Sequence, residues 1–313
     1  MKLNRTQLAI LALILTNIIW GATTPIFKWA LQDIQPFTFG FFRFLISSLI
    51  LLPFTYKHLR IKVQDVYTLI FLSIIGLALR VTYSYFGLML APSINDLIIS
   101  STAPAFIIIG AVMLFHEKPE KRVIKGTLLS FFGILVIILN PILQKGFDST
   151  LIGNVFLLVS MALYVTYTLM LKELAPKYNP LTLLFWTFFI SSIALLPFAG
   201  VEMIHNSLSG ALNDKGLLVI GFSVIFPTLL AYSLNLYGIK YIKASQVGIF
   251  SYVDPFVGIA VASPLLGEHI SPVFFAGAFL VFTGIYIAEK RVHYHPVHLL
   301  NPKNHLKVAA EEI

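Results

Sequence analysis

From residue 8 to residue 288 the sequence is a succession of apolar runs, each about twenty residues long, parted by short polar segments. A chain in hydrocarbon must satisfy its backbone donors and acceptors internally, which leaves helices or a closed barrel. Barrel strands alternate in polarity, whereas these runs are continuous, so helices follow. Ten are predicted, at 8–30, 37–55, 66–90, 94–115, 123–140, 152–171, 180–198, 216–238, 246–266 and 272–288. The longest predicted loop is 199–215, and nothing reads as a separate soluble domain. Charged residues make up 12% of the chain and apolar residues 58%. Against roughly 25% charge in an average soluble domain, that leaves too little polar surface for a soluble enzyme.

The formal charge is +8, but the basic residues form no continuous patch, so nucleic acid is not the predicted partner. Lys and Arg instead fall between the apolar runs. Seventeen lie at the N-terminus, in the even-numbered loops and in the tail. The opposite loops hold three, Lys28, Lys145 and Lys215, and Arg43 and Arg80 lie within spans. This asymmetry predicts both termini on the cytoplasmic side of the cell membrane. The stretch after Lys2 and Arg5 has the look of a signal peptide, but it has a partner later in the chain and is read as a retained first span. Cysteine is absent, which excludes disulfides and thiolate metal sites. His293, His295, His298 and His305 in the tail have no acidic or Cys neighbour and are read as solvated. No metal or cofactor is predicted.

The chain repeats itself. Ser47-Ser48-Leu49-Ile50-Leu51-Leu52-Pro53-Phe54 returns as Ser191-Ser192-Ile193-Ala194-Leu195-Leu196-Pro197-Phe198, an offset of 144 that also pairs Lys28 with Lys172 and Pro36 with Pro180. Downstream the offset is 151, pairing Gly87 with Gly238, Ser100 with Ser251, Pro104 with Pro255, Glu117 with Glu268, Gly126 with Gly277 and Gly133 with Gly284. The expected organisation is a first five-helix repeat at 1–146, a second at 147–290 and a cytoplasmic tail at 291–313. An odd number of spans per repeat sends the second copy into the membrane from the other side. The predicted fold class is therefore an all-α polytopic membrane protein with ten transmembrane helices in two inverted five-helix repeats. Inverted halves can exchange conformations and turn an inward-facing cavity outward, a device of transporters.

Trp20-Gly21, Phe42-Arg43-Phe44, Pro104 followed by Glu117, and Asp254-Pro255 followed by Gly267-Glu268 occur in order across the two copies. On these motifs the chain resembles the drug/metabolite transporter superfamily, specifically its ten-helix EamA-type members, over roughly residues 8–289. The resemblance implies a basket in which helices 1–4 and 6–9 line a central cavity, with 5 and 10 at the periphery. Many such proteins export amino acids or other small metabolites. Two departures stand out: Phe115-His116-Glu117-Lys118-Pro119, where relatives usually carry a small residue before the Glu, and a charge at Arg80.

A charge at mid-bilayer costs about 2.5–3.5 kcal/mol on insertion scales, so such residues seek a cavity or a partner. Asn17, Trp20, Thr24 and Lys28 share one helical face, and Tyr164, Thr168 and Lys172 repeat its last three positions. Trp20 is read as cavity lining, and the two Lys as snorkelling span ends. Gly76, Arg80, Tyr83 and Gly87 share a face, as do Ser251, Asp254 and Gly258. The repeat breaks here, since position 80 maps to Ala231 and Asp254 maps back to Ala103. Arg80 is a candidate for a substrate carboxylate, and Asp254 for an amino group or a coupling proton. The competing reading is that they form a structural ion pair. Arg43 either contacts substrate or pins helix ends through backbone carbonyls, and Asp96 is read as solvated at a helix end. Ser101 on the fourth span and Thr228, Tyr232 and Asn235 on the eighth complete the predicted lining. Pro104 and Pro255 interrupt helical ladders and are candidate hinges, with Glu117 and Glu268 as capping or gate contacts.

No catalytic set or phosphate-binding loop appears; His116-Glu117 lacks the second His of a zinc protease motif. The expected activity is secondary transport of a small polar metabolite, an amino acid before other classes, most often outward. The partners are a small-molecule substrate, the lipid bilayer and a coupling proton, with no protein partner indicated. An exporter of organic cations, a carrier of phosphorylated or nucleotide-linked metabolites, and a channel-like facilitator are the alternatives.

Overall fold

The computed structural model describes residues 5–103, 105–107, 110, 121–145, 149–174, 177–241, 248–268 and 271–289, and among them there is no strand. Helix α1 spans Arg5–Ala30 and α2 spans Pro36–Thr55, followed by a 3₁₀ turn at Tyr56–His58. Helix α3 is continuous from Val63 to Leu90 but switches to π-helix at Ile74–Leu79. Helices α4 (Ser93–Ser101), α5 (Lys121–Lys145) and α6 (Ser149–Leu174) follow. Helix α7 starts at Pro180–Glu202. Helix α8 comprises Asp214–Ser223, a π-helical Val224–Leu230 and Ala231–Tyr241. Helix α9 opens with a 3₁₀ turn at Gly248–Tyr252 and continues as Val253–Leu266, and α10 spans Pro272–Glu289.

Among the described residues, six helices are long and apolar enough to cross a membrane: α1, α2, α3, α6, α7 and α8. The apolar parts of α5, α9 and α10 are shorter, at Ile124–Leu139, Phe250–Leu266 and Pro272–Ile287. The predicted span 94–115 is seen as α4, and most of its remainder falls outside the described residues. The predicted loop at 199–215 is corrected. The chain stays helical through a π turn at Met203–Ser207 and a helix at Leu208–Leu212, and Asn213 then caps α8 by accepting from Gly216 N at 2.7 Å. Hydropathy marks where apolar side chains stop. Glu202, His205 and Asn206 end the apolar run without removing the backbone bonds that carry the helix on.

Each spanning helix turns an apolar face outward and a mixed face inward. On α1, Leu8, Leu11, Leu15 and Ile18 are exposed, while Asn17 and Gly21 on the other side are buried. Helix α2 packs on α7, α3 on α6, α1 on α8 and α9, α4 on α6 and α9, and α5 on α10. Glycines set the closest approaches. A methyl group at Gly133 would lie 2.6 Å from the carbonyl oxygen of Gly277, and one at Gly284 would strike the carbonyl oxygen of Gly126. Gly87 lies against Leu157, and Gly238 against Leu13. Gly21 lies against the backbone of Asp254, with a methyl there only 2.9 Å from its Cα.

Carboxylates clamp one end of the bundle. Glu268 accepts from the backbone N–H of Ser93 (2.7 Å) and Ile94 (3.1 Å) and from Ser93 Oγ (2.9 Å), completing the N-terminus of α4. It also meets Lys28 Nζ at 3.0 Å, and Lys28 donates to the Ala91 carbonyl at 2.6 Å. The snorkelling predicted for Lys28 is thus replaced by a tie between the end of α1, the start of α4 and the end of α9. Glu202 treats α2 in the same manner, accepting from Thr38 N (2.7 Å) and Thr38 Oγ1 (2.9 Å). At the other end Asp65 accepts from Lys177 Nζ (2.8 Å) and Tyr178 OH (2.6 Å), and Trp186 Nε1 donates to the Leu59 carbonyl (2.9 Å).

Two outcomes follow for the purified protein in detergent. Gly133→Ala, which forces α5 from α10, is expected to cost roughly 1–3 kcal/mol and lower the unfolding temperature. Gly221→Ala, with nothing within 4 Å of the new methyl, is the control and leaves it unchanged or raised. Glu268→Gln is expected to cost roughly 1.5–3 kcal/mol, the scale of hydrogen bonds to a charged group. In a double-mutant cycle with Lys28→Met, the double variant loses less than the sum of the two single losses.

Candidate functional site

The inner faces of α1, α3, α4, α6, α8 and α9 bring polar side chains together midway along the bundle. Arg80 is the first residue after the π segment of α3. Its guanidinium carbon lies 4.7 Å from the centroid of the Tyr164 ring on α6, and Nη1 donates to Tyr232 OH on α8 at 3.4 Å. The Tyr232 ring in turn stacks edge-on against Trp20 (5.4 Å) and Phe188 (5.6 Å). Trp20 Nε1 donates to the Pro227 carbonyl at 3.2 Å, inside the π segment of α8.

The two π segments occupy equivalent places in the repeat, since adding 151 to residues 74–79 gives 225–230. Each ends one residue before the position occupied by Arg80 in the first half and by Ala231 in the second. Irregular backbone therefore flanks the site symmetrically, at positions that sequence reasoning missed. Only Gly76 and Pro227 within them hinted at it.

Arg80 Nε and Asp254 Oδ1 are buried without a hydrogen-bond partner. Among the described residues the ion pairs are Lys28–Glu268, Lys177–Asp65 and Lys215–Asp33. Arg80 and Asp254 form none, so the structural ion pair considered from the sequence is corrected. Arg80, Asp254, Trp20, Thr24 and Tyr164 are all half-buried. Each lies inside the bundle rather than on its apolar outer surface.

Asp96 corrects another expectation. It is buried, not solvated, accepts from Ser100 Oγ at 3.3 Å and interacts with the Thr24 side chain. It lies within electrostatic range of both Arg80 and Asp254. The signal that singled out Arg80 was available here too: position 96 maps to Val247, another charge without a repeat counterpart.

Other predicted residues divide. Tyr83 turns away from Arg80 to pack on Phe156 at 5.6 Å. Asn17 donates to the Leu13 carbonyl (2.7 Å), Ser101 to Ile98 (2.7 Å) and Thr168 to Tyr164 (2.9 Å), all within their own helices. Asn235 is half-buried three residues, just under one turn, beyond Tyr232. Thr228 is fully buried and accepts from Arg43 Nε at 2.7 Å, while Arg43 Nη1 donates to Tyr85 OH at 3.0 Å. Arg43 thus binds side-chain hydroxyls rather than the helix-end carbonyls predicted, flanked by the rings of Phe27 (4.8 Å) and Phe44 (5.4 Å). Tyr85 was missed because it lies off the face that carries Arg80.

Pro255 falls where the 3₁₀ turn Gly248–Tyr252 passes into the α-helical Val253–Leu266, so the helix changes its winding two residues before the proline. Pro104 and Glu117 lie outside the described residues.

The EamA-like transporter family model matches residues 7–139 and again 151–289. An uncharacterized transporter of Archaeoglobus fulgidus is 24% identical over 90% of this chain and 98% of its own. The uncharacterized transporter YetK of Bacillus subtilis is 27% identical over 85% of this chain and 82% of its own. A probable amino-acid metabolite efflux pump of Escherichia coli is 23% identical over 88% and 92%. A solved structure covering 93% of this chain and 99% of its own superposes with a TM-score of 0.64 at 15% identity, a likeness of fold alone. With two matches that together take in most of its length, an all-helical architecture and a polar cluster inside an apolar bundle, the chain belongs to the EamA-like transporter family of multi-pass membrane proteins.

Proposed function

We propose that the chain is a secondary transporter for a small zwitterion, an amino acid with an apolar or aromatic side chain, working by alternating access around the Arg80 cluster. The observation that carries this is the pair of unsatisfied buried atoms, Arg80 Nε beside the Tyr164 ring and Asp254 Oδ1 on the helix that lies against Gly21. A buried polar atom without a partner costs about 1–3 kcal/mol, which a ligand bearing both a carboxylate and an ammonium recovers at both ends. The carboxylate takes the two-pronged guanidinium of Arg80, the ammonium takes Asp254, and Trp20, Tyr164 and Tyr232 cover the apolar part. Trp20, Thr24, Arg80, Tyr164, Tyr232 and Asp254 form this site, with Asn235 at its edge. Tyr83, Asn17, Ser101 and Thr168 support the walls.

Ten spans in two inverted five-helix halves, 1–146 and 147–290, with both termini cytoplasmic, give the transport mechanism its geometry. Several contacts support the inversion, because they interchange when the halves do. Gly87 on Leu157 becomes Gly238 on Leu13, and Gly133 on Gly277 becomes Gly284 on Gly126. Phe44 stacks at 5.7 Å on Phe188, its own counterpart at offset 144, and Ser130 donates at 3.1 Å to the carbonyl of Val281, its counterpart at offset 151. The π segments are further points at which α3 and α8 bend as the cavity changes sides, alongside the hinges expected at Pro104 and Pro255. Glu268 with Lys28 is the gate contact at one mouth.

The efflux pump of Escherichia coli supports an outward direction and amino-acid metabolites. The test is a thermal-shift screen of the purified protein against L-amino acids, organic anions, sugar phosphates and organic cations. Stabilisation of several degrees by apolar or aromatic L-amino acids is expected, and it disappears in Arg80→Gln while the unliganded variant keeps its fold. Stabilisation by organic cations alone overturns the zwitterion reading and makes Asp254 the sole anchor.

A further inference from the structure

Resting on that reading of the site, we propose that the π segment of α3 switches between π and α winding, and so joins the Arg80 site to the mouth closed by Asp65, Lys177 and Tyr178. Ser191 of α7 is the positioning residue that holds the present winding, whereas the matching segment of α8 is locked by Pro227.

Both segments follow a buried serine, Ser73 in α3 and Ser223 in α8. In α winding the Ser223 carbonyl would take its bond from residue 227, and Pro227 has no N–H to give. It accepts instead from Thr228 Oγ1 at 2.7 Å, one residue further on, and Arg43 Nε holds that hydroxyl at 2.7 Å. Helix α3 is built differently. No proline lies between Val63 and Leu90, and at the repeat offset of 151 the counterpart of Pro227 is Gly76. The Ser73 carbonyl has a donor four residues on, at Leu77, for α winding and another five residues on, at Ala78, for π winding. Nothing in the covalent chain of α3 selects the wider turn, so its neighbours do. Ser191 Oγ lies 2.9 Å from the Ser73 carbonyl oxygen and 2.7 Å from that of Thr187, and shares its proton between them. Tyr167 on α6 occupies the space beside Gly76, where a methyl group would lie 2.9 Å from its Cβ. Ser47, the counterpart of Ser191, donates to the Arg43 carbonyl in its own helix at 2.6 Å, and the segment of α8 is gripped through Arg43 and Thr228 instead.

One residue of register is about 100° of rotation, which carries a backbone atom about 2.3 Å from the helix axis through about 3.5 Å. Beyond the segment α3 is tied down: Tyr85 OH accepts from Arg43 Nη1 at 3.0 Å, and Gly87 lies against Leu157. The turn is therefore taken up by Val63–Ser73, the part before the segment. Two contacts made by that part are lost together. The Ser73 carbonyl leaves Ser191, and the Asp65 carboxylate leaves Lys177 Nζ and Tyr178 OH, which it now meets at 2.8 and 2.6 Å. That mouth comes open while Arg80 stays with Tyr164 and Tyr232. Arg80 is the first residue after the segment, so a ligand drawn to its guanidinium pulls on the last π turn directly.

The experiment is amide hydrogen exchange of the full-length purified protein in detergent, read by mass spectrometry on peptides covering the two π segments. Each passage between windings releases amide hydrogens that the segment's own bonds protect. After allowance for intrinsic rates, the wild-type α3 segment is expected to exchange at least tenfold faster than that of α8. Ser191→Ala raises exchange in α3 at least fivefold further, from Asp65 to the segment, and leaves α8 unchanged. Ser191→Thr, which keeps the hydroxyl, restores the wild-type rate. Pro227→Ala supplies the missing N–H and brings the α8 segment up toward the rate of α3. Equal rates in the two wild-type segments, including no exchange in either, overturn the switch. So does a Ser191→Ala variant that loosens both segments alike or neither. The wild-type comparison decides the matter even if a variant does not fold. No substrate is needed, so failure here and failure of the amino-acid screen are separate results.

Discussion

A guanidinium cannot lie in hydrocarbon unaided, and the interior of this bundle is arranged around two of them that meet the difficulty differently. Arg43 is buried, gives hydrogen bonds to Thr228 and Tyr85, and lies between the rings of Phe27 and Phe44. It fastens α2 to the π segment of α8 and to α3. Arg80 lies over the Tyr164 ring with one weak bond to Tyr232, and its Nε is left without a partner. A cation facing an aromatic ring is stabilised by about 2 kcal/mol or more when desolvated, enough to hold the side chain inside and too little to use up its donors. One arginine is a fastening, and the other is kept available.

The packing that carries these side chains depends on small residues. Helices in lipid gain little from apolar burial against one another, so close backbone approach and interhelical hydrogen bonds provide the association. Gly21 lets the backbone of α9 at Asp254 lie against α1, and Gly76 admits the Tyr167 side chain beside the first π segment. The Trp20-Gly21 pair thus has two separate duties. The indole closes over Tyr232 and the Pro227 carbonyl, and the glycine brings in the acid.

The class of fold was legible in the sequence because hydropathy and the lipid's lack of hydrogen-bonding groups leave few alternatives. The internal register Gly126, Gly133, Gly277 and Gly284 also named the residues that meet between α5 and α10, although nothing in it said which glycine faces which. Arg80, Tyr164, Tyr232, Trp20, Thr24 and Asp254 were legible as polar positions in apolar runs, and the structure puts the first four in contact with one another. Asp96 was not, because a carboxylate near a predicted helix end looks solvated until the covering α1 and α9 are known. The π segments were invisible for a related reason. A wider helical turn is set by what packs against it, such as Tyr167 on Gly76, and leaves no periodicity of its own. Helix ends at 199–215 were misjudged because polar side chains end an apolar run without ending a helix.

Phe44 and Phe188 face one another although they hold the same place in the two copies of the repeat, and Gly133 and Gly284 meet each other's neighbours in the same manner. Two separate identical chains could assemble through such self-complementary contacts, but they would have to be identical everywhere. Each would carry an arginine at the place of Arg80, and a second such guanidinium would be added to an interior that already holds Arg43 and Arg80. Here the second place is Ala231, fully buried, with its carbonyl accepting from Thr16 Oγ1 at 3.3 Å. Joining the copies in one chain releases them from sameness where it would be harmful while keeping it where it packs well. A single polypeptide of two halves can keep an arginine at position 80 and an aspartate at position 254 without repeating either in its other half.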